Sequence, residues 1–290
     1  MEEDDDEASK DNDEVVGLAM TDRAEEDAHN VAARLLPQQA QWIEEQEHLK
    51  RSLVQRDHFL WKYVPGNDII STVSGDKHVE DNSLHYVGGV DLSFCKEDPS
   101  LACGALIVLE MPRLKVVYKD FDIVHLDLPY IPGFLAFRES PVLLELLRKM
   151  RMHKPALFPQ LLMVDGNGIL HPRGFGLASH LGVLADIPTI GIGKNLHHVD
   201  GLNDIVVKVL ASKYLKKAGD AIDLIGKSGK VLGAALKSKD DCKKPVFVSI
   251  GHRISLDSAI DIVRACCMYR LPEPVRQADI ESKEYLRKML

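Results

Sequence analysis

"QLLMVDGNG", residues 160–168, sets four apolar residues in succession, Leu161 to Val164, ahead of Asp165 and a glycine-rich turn. A strand with one wet face alternates apolar and polar residues. One without alternation is buried on both faces, as parallel strands covered by helices are. The stretch therefore predicts a buried parallel strand that carries Asp165 at its carboxyl end.

Working outward, "HYVGGVDLSF" (85–94), "LACGALIVLE" (101–110) and "LKVVYKDFDIV" (114–124) read as three strands. The second and third are joined by a short turn at Met111–Pro112–Arg113, so the three predict an antiparallel meander. "SPVLLELLRKM" predicts a helix with Ser140 as N-cap and Pro141 in the first turn. Beyond residue 168, "GLASHLGVLAD" reads as a helix and "IPTIGIGK" (187–194) as a second buried strand. "KVLGAALK" and "PVFVSIG" read as later strands, and "SLDSAIDIVRACCMYR" as an amphipathic helix starting from Ser255. The order β-β-β-α-β-α-β is the skeleton of a ribonuclease H-like α/β fold: one domain, a mixed sheet flanked by helices.

Charge divides the chain unevenly. Residues 1–30 hold thirteen acidic and two basic residues, a local net of −11; the chain's −8 minus −11 leaves +3 for residues 31–290. Residues 1–35 are expected to be a disordered acidic tail, and residues 36–290 a catalytic domain opening on a helix from Pro37. The five cysteines are odd in number and form no CxxC pair, so reduced thiols in an intracellular protein are expected. No apolar run reaches the ~18 residues of a membrane span. A cytoplasmic or nuclear location, nucleolar included, and a monomer are expected.

Three acids stand out. Asp91 lies inside an apolar strand, Glu139 follows the stiff loop "PYIPGFLAFRE" (129–139), and Asp165 closes its strand. Burying a carboxylate costs several kcal/mol unless something compensates it. In the predicted skeleton the first and fourth strands are neighbours and the helix packs across them, which gathers the three acids. Hard oxygen ligands of this kind suit Mg²⁺, with Mn²⁺ as substitute, and phosphodiester cleavage. Lys194 is a candidate contact for the scissile phosphate or the attacking water. His252 is a candidate for ordering water at the metal or protonating a leaving group, and His171 and Arg173 for lining a nucleotide path. The phosphate-loop pattern GxxxxGK[ST] is absent, and Ser179–His180 and Ser249–His252 are too isolated for a hydrolase triad.

"GGVDLSF", "PYIPGFLAFRE", "VDGNGILHPRGFGLASHLG", "PTIGIGK" and "SIGHRISLDSA" together resemble endonuclease V, from about Trp42 to the C-terminus. "RLPEPVRQAD" is similar to the animal branch. The resemblance implies a Mg²⁺-dependent endonuclease that recognises inosine in single-stranded RNA. It would cut the second phosphodiester bond 3′ to the inosine, leaving 5′-phosphate and 3′-hydroxyl ends. Deoxyinosine repair in DNA is the enzymatic alternative, and an inactive inosine-RNA binding protein is the rival of another class. Asp91, Glu139 and Asp165 fall on the family's metal positions. Tyr130 falls on its base-prising wedge, expected to comprise Tyr130, Ile131 and Pro132, with Pro129 and Pro132 making it rigid. Gly133, Leu135, Gly166 and His171 are expected at the inosine pocket, and Arg173 and Lys194 at phosphates.

Overall fold

The computed structural model describes residues 37–63, 82–126, 128 and 131–290. The expected acidic tail, residues 1–35, lies outside them. The chain divides into two units, Met1–Glu47 and His48–Leu290. Within the first, the described residues 37–47 are helical and belong to α1, residues 37–50.

The second unit is built on an eight-stranded mixed sheet. Strands β1 (Tyr86–Phe94), β2 (Leu101–Glu110) and β3 (Lys115–His125) form the expected antiparallel meander. Helix α2 (Leu135–His153) leads to β4 (Leu161–Asp165), which pairs parallel to β1. Helix α3 (Leu177–Ala185) leads to β5 (Thr189–Gly193), parallel to β4. Then come α4 (Asp204–Tyr214), β6 (Ala221–Ile225), β7 (Val231–Leu236), β8 (Val246–His252), α5 (Leu256–Ala265) and α6 (Glu273–Met289). The spatial order is β3-β2-β1-β4-β5-β8-β7-β6, with β8 antiparallel to β5. This is a ribonuclease H-like α/β architecture, and its central strands are the apolar ones. Among the described residues, no helix is long and apolar enough to cross a membrane.

Period-two alternation sorts the strand residues between two cores. Val87, Leu161, Met163 and Ile190 pack with Val263 of α5 and Val275 of α6. Val90, Leu162 and Val164 pack with Leu143 and Leu146 of α2 and Leu181 of α3. Each such aliphatic side chain stabilises the fold by about 1.5–3 kcal/mol. Gly89 sets how closely α6 approaches: a Cβ there would lie 1.9 Å from the Pro274 carbonyl oxygen. With no side chain in the way, the start of α6 lies directly on β1.

Helix α2 differs from expectation. Ser140 is not its N-cap and Pro141 is not in its first turn; the helix starts earlier, at Leu135, and Pro141 lies inside it. A Pro132–Gly133 turn launches it, with Gly133 at φ +86 and the Phe134 N–H donating to the Ile131 carbonyl at 3.0 Å. Those are the features of a type II turn, which needs glycine at its third position. The launch places Glu139 in the second turn rather than at the helix mouth. The buried face Ala136, Glu139, Ser140, Leu143 and Leu147 holds the helix together across the proline.

Candidate active site

The register of β1 and β4 runs to Val90 opposite Val164. One residue further on stand Asp91 and Asp165, on neighbouring strands whose spacing is about 4.8 Å. Both are in phase with Val87, Leu161 and Met163, so both face α6. Helix α6 supplies the third acid, Asp279. Oxygens of Asp91, Asp165 and Asp279 all lie within 4.8 Å of one another, a single group of this kind among the described residues. Ser93 and Ser282 donate to Asp91 Oδ2 at 3.2 and 3.4 Å.

Glu139 reaches the cluster from α2, on the opposite face of the sheet, and falls outside the 4.8 Å group. It is only 6% exposed. Burial pushes its carboxyl up to about 8, and the charges of Asp91 and Asp165 add to the shift. Asp91 is raised for the same reasons, burial first and then the facing Asp165. Lys194, just past β5, places its ammonium against Asp165 and 2.5 Å from Asp279. Burial alone would lower that ammonium's pKa, yet the two carboxylates hold it raised. Asp279 also pairs with Lys283 at 2.8 Å. Despite its burial, its carboxyl stays below the usual range because both lysines bond to it.

One expectation needs correction, and one acid is new. His252 is not at this site. It pairs with Thr189 at the start of β5, whereas Asp165 pairs with Ile192 near that strand's end. Because β8 runs antiparallel, its carboxyl end points away from the acids. His252 is a core histidine: its Nδ1 accepts from the Val54 N–H at 3.3 Å, and burial pushes it down to about 4. Asp279, in turn, was not anticipated. Its signal lies in the spacing Val275, Asp279, Ser282, Leu286, which puts an acid on the apolar stripe of an amphipathic helix.

The remaining candidates gather on the α2–α3 side. The Arg173 guanidinium lies 5.4 Å over the Phe134 ring, beside the Pro132–Gly133 turn, and the Arg173 carbonyl accepts from Lys50 Nζ at 2.7 Å. His171 Nδ1 accepts from the Arg173 N–H at 3.2 Å, so the proton of the neutral ring sits on Nε2. Burial, helped by His197, Arg173 and Lys50, pushes His171 down to about 4. Gly166 follows Asp165 directly and spends its N–H on the Ile192 carbonyl at 3.0 Å. Ile131 and Leu135 are half-buried and Pro132 is exposed. Tyr130, the expected wedge, lies outside the described residues.

A set of carboxylates from the neighbouring strands β1 and β4 and from α6, one buried and two half-buried, on this sheet order, defines a metal-dependent nuclease of ribonuclease H-like architecture. The comparisons narrow the class. The profile described as Endonuclease V matches residues 67–280. Human endonuclease V is 48% identical over 249 residues, covering 86% of this chain and 83% of the relative. The crystal structure of the human protein superposes with a TM-score of 0.77 at 47% identity, covering 86% and 98%. A Ciona intestinalis endonuclease V, solved with a 24mer DNA containing an inosine followed by a ribo-adenosine, gives a TM-score of 0.76 at 35% identity, covering 88% and 100%. The chain belongs to the endonuclease V family.

Proposed function

We propose that this protein is a Mg²⁺-dependent endonuclease that recognises inosine in single-stranded RNA and hydrolyses the second phosphodiester bond on its 3′ side. The products are a 5′-phosphate and a 3′-hydroxyl. The observation that carries the reading is the convergence of Asp91, Asp165 and Asp279 within 4.8 Å, with Lys194 against two of them and Glu139 facing them. The three clustered groups are all carboxylates, and burial, with their mutual repulsion added, raises Asp91 and Glu139, which is the donor chemistry a hard divalent cation requires. Asp91, Asp165 and Asp279 would hold such an ion, with the carboxyl of Glu139 near Asp91 and Asp165. When bound, it supplies positive charge to the scissile phosphate and lowers the pKa of water.

The chain's own residues do the rest. The Lys194 ammonium is half-buried and fixed by two carboxylates, a charge ready to meet a phosphate oxygen with little reorganisation. The His171 Nε2–H is a donor, and the O6 of hypoxanthine is an acceptor. Guanine's extra amino group, buried in a tight pocket without a partner, would cost roughly 1–3 kcal/mol. Taking the base out of the stack costs a few kcal/mol, which a turn stiffened by Pro132 and closed by its own hydrogen bond meets without ordering itself further. The Ciona complex, a 24mer DNA in which a ribo-adenosine follows the inosine, supports acceptance of a ribonucleotide beside the inosine.

The test is cleavage of end-labelled single strands carrying one inosine, as RNA and as matched deoxyinosine DNA, with Mg²⁺ or chelator. RNA is expected to be cut one linkage beyond the inosine, only in Mg²⁺, and faster than DNA. Faster cleavage of DNA would establish the repair reading, and bound but intact RNA in Mg²⁺ would establish a binding protein.

A further inference from the structure

A cavity of about 720 Å³ opens beside Lys194, between α4, the segment joining β7 to β8, and Arg270. Its floor is apolar: Leu196, Val207, Leu215 and Phe247 are all buried there. Its lining is cationic, with basic residues outnumbering acidic ones six to three. Two of those acids are already engaged, Asp204 with His198 at 2.8 Å and Asp240 with the Ala218 N–H at 2.6 Å. Lys208, Lys243 and Lys244 remain exposed.

The walls are held in place. The Arg270 guanidinium donates to the carbonyls of Lys194, Pro245 and Lys244 at 2.5, 3.1 and 3.3 Å, tying the end of β5 to the approach to β8. Next to it Tyr269 is 55% exposed with the Arg276 guanidinium 4.4 Å from its ring. Tyr214, at the end of α4, is also exposed and carries Lys213 at 4.9 Å.

An apolar floor, a cationic lining and exposed tyrosines are what an unpaired strand uses: phosphates meet the cations and bases meet the rings. A duplex keeps its bases paired inside and could not use the floor. The volume lies in the range of pockets that enclose one small heterocyclic ligand. Lys194 lines the cavity and pairs its ammonium with Asp165 and Asp279, so one residue links the two. Along the sheet, Gly133 and Arg173 lie towards β1 and β4 and the cavity lies towards β8, on the same face as α2 and α3, since its floor residue Phe247 is out of phase with Val246 and Val248. A strand entering from one side and crossing the acids leaves by the other. We infer that this cavity seats the unpaired nucleotides on the 3′ side of the cut, which makes the enzyme sensitive to the length and pairing of the strand downstream of the inosine. This rests on the inosine-endonuclease reading above and deepens it.

The experiment compares inosine RNAs ending just past the scissile linkage with RNAs extended by about six nucleotides, a span within the site sizes of single-strand binding modules. The wild-type protein and a Lys243→Glu/Lys244→Glu variant are assayed in Mg²⁺. For the wild type, extension in the 3′ direction is expected to lower KM about tenfold, with the gain shrinking as salt rises. Pairing the extension with a complementary strand is expected to cancel the gain. The variant is expected to cut the short strand at the wild-type kcat and to gain nothing from extension. Equal KM for short and extended strands in the wild type would overturn the cavity assignment, as would an extension gain that survives in the variant. Dependence on 5′ extension alone would overturn the assigned side. Failure of the wild type to cut any inosine strand would instead remove the reading on which this rests.

Discussion

At the scale of single residues, the acid cluster behaves as a store of repelling charge. Asp279→Asn neutralises one of the three converging carboxylates, which is also one of the two that hold Lys194. Cleavage of inosine strands is expected to fall by about 10²–10³-fold, the loss typical of one preorganised electrostatic contact. Binding of the same strands in Ca²⁺ should persist, and a gel-shift beside a single-turnover assay separates the two. Glu139 gives a pH signature. Its folded pKa is raised to about 8, above the ordinary carboxyl value near 4.3 that it has when unfolded. The folded state therefore binds the extra proton, and that contribution to stability is complete below about pH 4.3 and lost as pH rises toward 8. Chelated protein should lose thermal stability between pH 6.5 and 8.5. Glu139→Gln should flatten that slope, raise the melting temperature at pH 8 and abolish cleavage. A slope unchanged in Glu139→Gln would remove Glu139 from the cluster.

At the scale of elements, everything depends on how α6 lies on β1. Asp279 and Ser282 reach Asp91 because Gly89 leaves room for the Pro274 backbone. Gly89→Ala puts a methyl 1.9 Å from a carbonyl oxygen, which only a shift of the helix or strand relieves. The expected cost is about 3 kcal/mol or more, at the upper end for overpacking, with activity lost beyond what reduced stability explains. Denaturant titration and a rate assay at a temperature where the variant is folded check both halves. Much of this level was legible beforehand. Asp91 announced itself as a lone acid within "VGGVDLSF", and Ser255 capped α5 as expected, accepting from the Ser258 N–H at 3.2 Å. Helix α2 was misplaced because Pro141 reads as a first-turn residue, while the Pro132–Gly133 turn upstream is what starts it. Strand β6 left little trace: it is an edge strand, exposed at Asp223 and Ile225, so burial imposes little pattern on it.

At the scale of the whole molecule, buried neutral histidines set the acid limit. His180 is 2% exposed, sits edge-on to Phe137 at 4.8 Å and near Phe175, and its Nδ1 has no hydrogen-bond partner among the described residues. Burial pushes it down to about 4. Its unfolded pKa is near 6.5, so the unfolded state binds the proton first, and stability falls as pH drops from about 6.5 to 4, by about 3 kcal/mol for this one group. His171 and His252 act in the same direction. Acid unfolding followed by circular dichroism should steepen below pH 6.5, and His180→Leu should flatten it; an unchanged acid limb would mean that the ring is already paired or protonated in the fold. Sequence by itself determined the order from β1 to β5 with the helices between them, the later strands β7 and β8, helix α5, the buried central strands and two of the three clustered acids, because burial and periodicity are local properties written residue by residue. Only the tertiary structure decided that β8 runs antiparallel and carries His252 away from the acids, and that α6 turns Asp279 toward them. Strand direction and the facing of a helix are settled by which surfaces pack together across the whole sheet, and no short stretch of chain contains that information.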